Sequence, residues 1–150
     1  PFDRYLKGDE NAISENAKKG YRLFLKLGCQ TCHTGPAMGG QSFEYADLKG
    51  DFFGGRAKTN DDNGLMNFTK KETDKHRFRV PTLRNVELTW PYMHDASAQT
   101  LEEAITKMYH YQLGYDKLDK TEVRLLVAFL KTLTGEYQGK PVRGEVCPAP

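Results

Sequence analysis

The chain has 150 residues and a formal net charge of +2, with hydrophobic residues making up 38% of it. This length predicts a single domain over residues 1–150. Within it we expect an N-terminal arm at 1–13 and a C-terminal tail from about 136 to 150. The nearly even charge balance gives no indication of nucleic-acid binding or of a strongly basic membrane-binding surface. No apolar run approaches the ~20 residues of a transmembrane helix, so we expect no membrane insertion.

The first predicted helix follows a polar N-terminal stretch. The first ten residues are mainly polar, and we expect them to form an extended arm. Ser14 is a good N-cap, and apolar residues between Ala17 and Leu27 recur near helical spacing. Gly28 is a suitable residue to end the helix.

A Cys-x-x-Cys-His motif, Cys29-Gln30-Thr31-Cys32-His33, follows directly. This pattern attaches c-type haem: the two thiols form thioether bonds to the porphyrin, and the adjacent imidazole ligates the iron. A zinc site would need a second Cys/His pair at ligand spacing, and a redox C-x-x-C would lie near a βαβ pattern; the sequence has neither. We therefore predict one covalent haem c, held by Cys29 and Cys32 with His33 on the iron. Cys147 stands alone in a Pro-rich tail and is expected to be a thiol without a partner.

The rest of the chain predicts loops and two more helices. Residues 35–67 are rich in Gly, Asp and Asn, which is typical of a long ordered loop. A Thr/Glu capping box predicts a helix over residues 101–110, and an Asp/Glu pair predicts another over about 121–133, with Gly135 at its end. No segment shows strand alternation. The predicted fold class is all-α, a cytochrome c-like domain of about four to five helices around one covalent haem, with long ordered loops.

The second axial ligand decides whether the haem only transfers electrons or also binds peroxide, because an open coordination position can take a substrate. The candidates are the remaining methionines and histidines: Met38, Met66, Met93, Met108, His76, His94 and His110. Met38 follows His33 too closely to cross the ring edge easily, and Met66 lies in a polar loop. Met108 lies in a predicted helix and is favoured over Met93, but the residues alone leave this choice open.

Several segments resemble the bacterial di-haem cytochrome c peroxidases. The strongest similarity lies in FRVPTLRNV at 78–86 and LTWPYMHD at 88–95. Residues 1–8 and 20–40 also resemble the corresponding segments of those enzymes. Those enzymes have two cytochrome-like domains, and the chain resembles the one that holds the high-potential haem. The resemblance extends to about residue 135 and implies that Met108, one helix after the Pro-Tyr-x-His-Asp segment, is the methionine ligand.

Further site residues are expected near the same segments. The resemblance implies a calcium site using the backbone oxygens of Thr89 and Pro91, with another ligand from the second domain. We expect Arg84 to pair with a haem propionate through its planar guanidinium, with a surface ion pair to an Asp or Glu as the alternative. We expect His94 to be a hydrogen-bonding strut rather than an iron ligand.

The resemblance implies an electron-transfer haem domain of a cytochrome c peroxidase system. A small soluble donor cytochrome or copper protein would supply electrons, and a peroxide-reducing haem domain of the same or a companion chain would accept them. The alternative is a free-standing mono-haem enzyme that reduces hydrogen peroxide at an open iron site. A third class, relatives that oxidise a partner protein, tends to lose the methionine ligand.

Haem c is attached outside the bacterial cytoplasm, so we expect the periplasm. The chain begins at Pro1 without a signal peptide, which indicates a processed form or an excised piece.

Overall fold

The computed structural model describes residues 1–144, so Cys147 lies outside the described residues. Within them are five α-helices: α1 Phe2–Leu6, α2 Glu15–Lys26, α3 Met66–Thr69, α4 Leu101–Leu113 and α5 Lys120–Lys131. Single 3₁₀ turns lie at Cys29–Thr31, Asn60–Asn63, Glu72–Asp74 and Val86–Leu88. The strands are β1 Phe43–Tyr45, β2 Arg77–Arg79, β3 Glu136–Tyr137 and β4 Lys140–Pro141. None of the described helices is long and apolar enough to span a bilayer.

The three predicted helices are confirmed, with caps that explain their starts. The Ser14 hydroxyl accepts from the backbone N–H of Ala17 at 3.2 Å, at the start of α2. The Thr100 hydroxyl accepts from the N–H of Glu103 at 3.2 Å, at the start of α4. α4 runs three residues beyond the predicted end, to Leu113, because the left-handed residue that terminates a helix is Gly114 rather than an earlier one.

The core lies where α2 crosses α5. Gly20 of α2 is pressed against the backbone of α5: a Cβ at this position would be 1.9 Å from the Leu125 carbonyl oxygen. The ring of Phe24 on α2 meets that of Phe129 on α5, with centroids 5.2 Å apart, and Phe129 is fully buried. This confirms the expectation that these two aromatic residues pack in the core between the two helices.

The expected extended arm is wrong, because residues 2–6 form α1. Phe2 is buried against Tyr21 and Phe129, with ring centroids 4.9 and 5.1 Å away. One buried aromatic side chain therefore anchors a segment whose average composition is polar. Helix α1 thus becomes part of the core.

The expectation of no strands is also wrong. β1 and β2 pair antiparallel, with Phe43 opposite Arg79 and Tyr45 opposite Arg77, and β3 and β4 form a second two-stranded ladder. Three residues are too few for alternation to be visible in the sequence, and the partners of β1 and β2 lie far apart along the chain.

Candidate haem-binding site

The Cys-x-x-Cys-His motif forms a tight turn directly after α2. Gly28 has a φ of +78°, which ends the helix and starts the 3₁₀ turn Cys29–Thr31. The backbone N–H of His33 donates to the Cys29 carbonyl at 3.0 Å, so the imidazole is carried by the same turn as the two cysteines. Cys29 and Cys32 are half-buried free thiols.

The electrostatics of the two thiols favour the neutral form. Burial raises the pKa of the Cys29 thiol to about 11. Burial also raises the pKa of Cys32, with a further contribution from the negative charge of Glu44. A redox-active C-x-x-C pair needs a lowered thiol pKa, because the thiolate is the nucleophile. This environment is therefore unlike a disulfide oxidoreductase site, whereas thioether attachment is compatible with it.

His33 is oriented for iron ligation through its second ring nitrogen. Its Nδ1 donates to the backbone carbonyl of Pro81 at 3.2 Å, which leaves Nε2 for a metal. Burial lowers the pKa of His33, which favours the neutral imidazole that a metal requires. Two half-buried free thiols and a half-buried imidazole carried by the same turn fit a covalently held haem.

The Pro81 carbonyl is placed by a close backbone approach from Gly39. A Cβ at Gly39 would be 2.1 Å from the Pro81 oxygen, and the φ of Gly39 is +128°. Two backbone hydrogen bonds flank this close approach: the N–H of Gly40 donates to the Val80 carbonyl at 2.7 Å, and the N–H of Leu83 donates to the Met38 carbonyl at 3.1 Å. Glycine at 39 is therefore required both by conformation and by space. The sequence analysis missed this role, although the Gly39-Gly40 pair was visible.

Gly39→Ala is expected to destabilise the haem-loaded protein by about 2–5 kcal/mol, because it combines a strained φ with a collision against the Pro81 carbonyl. Gly55→Ala is the matched control: Gly55 also has a positive φ, +78°, but its Cβ would meet nothing within 4 Å. Chemical denaturation of the two variants and the wild type separates conformational strain from contact. Equal losses in both variants would contradict the close approach.

Met108 lies on α4 and is exposed. It follows Leu101 and Ile105 at helical spacing: Leu101 is buried, whereas Met108 is 36% exposed. Ile105 and Cys29 pack against the same apolar cluster. Met93 is partly buried against that cluster, whereas Met108 itself is not among the residues that pack on it, so this geometry does not favour Met108 over Met93.

The remaining predicted site residues are Arg84, Thr89 and Pro91. The Arg84 guanidinium forms two bonds to the carboxylate of Asp3, at 2.7 and 3.1 Å, and a third to the Pro36 carbonyl at 2.9 Å. These contacts tie α1 to the loop after the haem motif. The propionate role of Arg84 stays a prediction, as do the calcium ligands Thr89 and Pro91, both of which are exposed. Among residues 1–144, no group of three or more His, Cys, Asp or Glu side chains could hold a metal ion.

His94 forms a hydrogen bond with Asp62, a residue that the sequence analysis missed. Its Nε2 donates to the carboxylate of Asp62 at 2.7 Å, and its ring stacks on Phe78 with centroids 4.2 Å apart. Asp62 stands at position N3 of a capping box whose N-cap residue is Thr59. The Thr-x-x-Asp spacing could have indicated the cap, but it does not show that the carboxylate is buried.

Comparison with known proteins identifies the family. Residues 17–134 match the family model described as cytochrome c. The chain belongs to the cytochrome c family. It is 50% identical over 137 residues to the cytochrome c peroxidase of Escherichia coli, covering 91% of this chain and 29% of that protein. It is 47% identical over 135 residues to the cytochrome c551 peroxidase of Nitrosomonas europaea, covering 90% of this chain and 39% of that protein.

A solved structure has the same fold. The crystal structure of a MauG-like protein associated with microbial copper homeostasis aligns with a TM-score of 0.71 and 32% identity, covering 90% of this chain and 51% of that one. The resemblance to bacterial cytochrome c peroxidases is therefore confirmed. This chain spans well under half the length of the two peroxidases.

Proposed function

We propose that this domain binds one haem c and transfers single electrons. Cys29 and Cys32 would hold the porphyrin, and His33 and Met108 would ligate the iron. The observation that carries the proposal is the hydrogen bond from His33 Nδ1 to the Pro81 carbonyl, directly after a C-x-x-C turn. It fixes the imidazole tautomer and leaves Nε2 free to ligate the iron.

The residues of this chain would set the properties of the bound group. Haem c supplies the one-electron chemistry itself. The Pro81 carbonyl increases the basicity of His33, which favours the ferric state, whereas a Met108 thioether favours the ferrous state and raises the reduction potential. A Met108 thioether bound to the iron would also prevent peroxide from binding there. Arg84 would pair with a propionate if it exchanges Asp3 for that group.

The wider role follows from the names of the relatives. Because the matched proteins are called peroxidases, we propose that this domain is the electron-transfer part of a bacterial cytochrome c peroxidase system. A small soluble cytochrome or copper protein would donate electrons in the periplasm, and a second, peroxide-reducing haem domain would accept them. The backbone oxygens of Thr89 and Pro91 are the proposed contribution of this domain to a calcium site, completed by ligands from elsewhere.

The optical spectrum of the ferric, haem-loaded protein tests this proposal. A low-spin spectrum with the weak red band of methionine sulfur on iron is expected, and hydrogen peroxide should leave it unchanged because the sixth position is filled. A high-spin spectrum that shifts on adding peroxide would refute the closed site. It would support the alternative function, a mono-haem enzyme that reduces peroxide at an open iron.

A further inference from the structure

Among residues 1–144, Asp62 is the only buried charged residue, with 1% of its surface exposed. Its carboxylate accepts two bonds from Arg56, at 2.6 and 2.9 Å, one from the Thr59 N–H at 2.6 Å and one from His94 Nε2 at 2.7 Å. The Arg56 guanidinium, followed by the His94 and Thr59 bonds, holds the pKa of Asp62 well below its usual range despite burial. A buried charge persists only when it is fully paired in this way. We call Arg56, Thr59, Asp62 and His94 the Asp62 clamp.

The clamp fixes strand β2 through a side chain. The His94 ring stacks on Phe78, the central residue of β2, at an interplanar angle of 25°. The His94 side chain is only 15% exposed and lies between Asp62 and Phe78, with the rings of Phe52 and Phe53 at centroid distances of 5.8 and 6.0 Å. Loss of the Asp62 bond would free this ring to rotate away from the strand.

The clamp also fixes β2 through the backbone. The residues directly after Asp62 run along β2 on the side away from β1. The Asn63 carbonyl accepts from the N–H of His76 at 3.2 Å, and the N–H of Leu65 donates to Arg77 at 2.8 Å. Strand β2 is therefore held from two directions by groups whose positions depend on one carboxylate.

β2 leads directly to the axial histidine. The chain continues from β2 through Val80, whose N–H donates to Ser42 at 2.9 Å, to Pro81, whose carbonyl accepts from His33 Nδ1. Only one residue separates the end of the strand from that carbonyl. A shift of β2 would therefore change the direction of the Pro81 carbonyl and weaken its bond to His33.

We propose that Asp62 is a positioning residue for the axial ligand His33, acting through His94, β2 and the Pro81 carbonyl. The inference rests on the proposed ligation of haem iron by His33. A weaker Nδ1–H···O bond makes the imidazole less basic, which disfavours the ferric state and raises the reduction potential. Removal of the Asp62 charge is therefore expected to change a property of the iron as well as the stability of the loop.

The test compares Asp62→Asn with Asp61→Asn in the haem-loaded protein. Asparagine keeps the shape of the side chain but not its charge, and Asp61 is an exposed neighbour of the same type. The reduction potential is measured by spectroelectrochemical titration, and the His33 ring resonances by NMR of the ferric state. At the wild-type midpoint, Asp62→Asn is expected to shift the reduced-to-oxidised ratio upward by about threefold, with moved His33 resonances, while Asp61→Asn matches the wild type.

A second variant separates positioning from folding. His94→Phe keeps an aromatic ring against Phe78 but cannot donate to Asp62, so it is expected to shift the potential in the same direction even if Asp62→Asn does not accumulate. An unchanged potential and unchanged His33 resonances, in a variant that unfolds more easily, would overturn the proposal and leave a purely structural clamp. Failure of the proposed function would be seen separately, as a wild-type spectrum without the methionine band.

Discussion

Met108→Leu is expected to remove the methionine–iron band and lower the reduction potential of the haem-loaded protein by roughly a tenth of a volt or more, since axial ligands set haem potentials over about 0.8 V. The thioether stabilises ferrous iron, and leucine has no atom that can ligate it. Leucine has a similar volume and suits helix α4, so the fold should persist. The ferric spectrum should become high-spin and respond to peroxide. Optical spectroscopy with potentiometric titration measures both changes.

Two other methionines provide the controls. Met93→Leu tests the competing ligand, because Met93 borders the same apolar cluster as the residues around Met108. Met66→Leu changes a methionine at the start of α3 that we do not expect to ligate iron. Both should keep the band and the potential. Loss of the band in Met93→Leu, with the band retained in Met108→Leu, would transfer the ligand assignment to Met93.

Gly20→Ala is expected to destabilise the protein by about 2–4 kcal/mol, even though alanine is favoured over glycine in a helix by about 1 kcal/mol. The added methyl group would be 1.9 Å from the Leu125 carbonyl oxygen, so helices α2 and α5 would have to separate. Separation also loosens the contact of Phe24 with Phe129 beside it. Denaturant unfolding of the haem-loaded protein gives the change in free energy.

Gly135→Ala is the control for this substitution. Its Cβ would meet only the Asn85 side chain at 3.8 Å, an ordinary contact, so its unfolding midpoint should remain close to that of the wild type. An unfolding free energy of Gly20→Ala equal to that of Gly135→Ala would contradict the close crossing of the two helices.

The sequence predicted the elements whose signals are local. Ser14 and Thr100 cap α2 and α4 with their own side chains, so the helix starts were readable from neighbouring residues. α1 was missed because its anchor, Phe2, contacts residues of α2 and α5 that lie far along the chain. The β1–β2 ladder was missed for the same reason, since its stability comes from pairing across a long loop.

The residues of the site also fall into two groups, those that a local sequence pattern reveals and those that depend on contacts between distant segments. The haem motif is contiguous, so Cys29, Cys32 and His33 were identified from sequence alone. The roles of Pro81 and Gly39 depend on a backbone approach between distant segments, which no local pattern encodes. Asp62 was hidden in a run of polar loop residues, where a buried carboxylate and a solvated one have the same letter.

The crossing of α2 and α5 also determines which parts of the domain are able to change length. Gly20 and Leu125 touch although they are roughly 100 residues apart, so the core is closed by segments near the two ends of the described chain. Loop-closure entropy grows only with the logarithm of length, and doubling the intervening stretch would cost about 0.6 kcal/mol. Insertions between the haem motif and α4 are therefore expected to cost little free energy wherever they leave the backbone around Pro81 and the contacts of Asp62 in place.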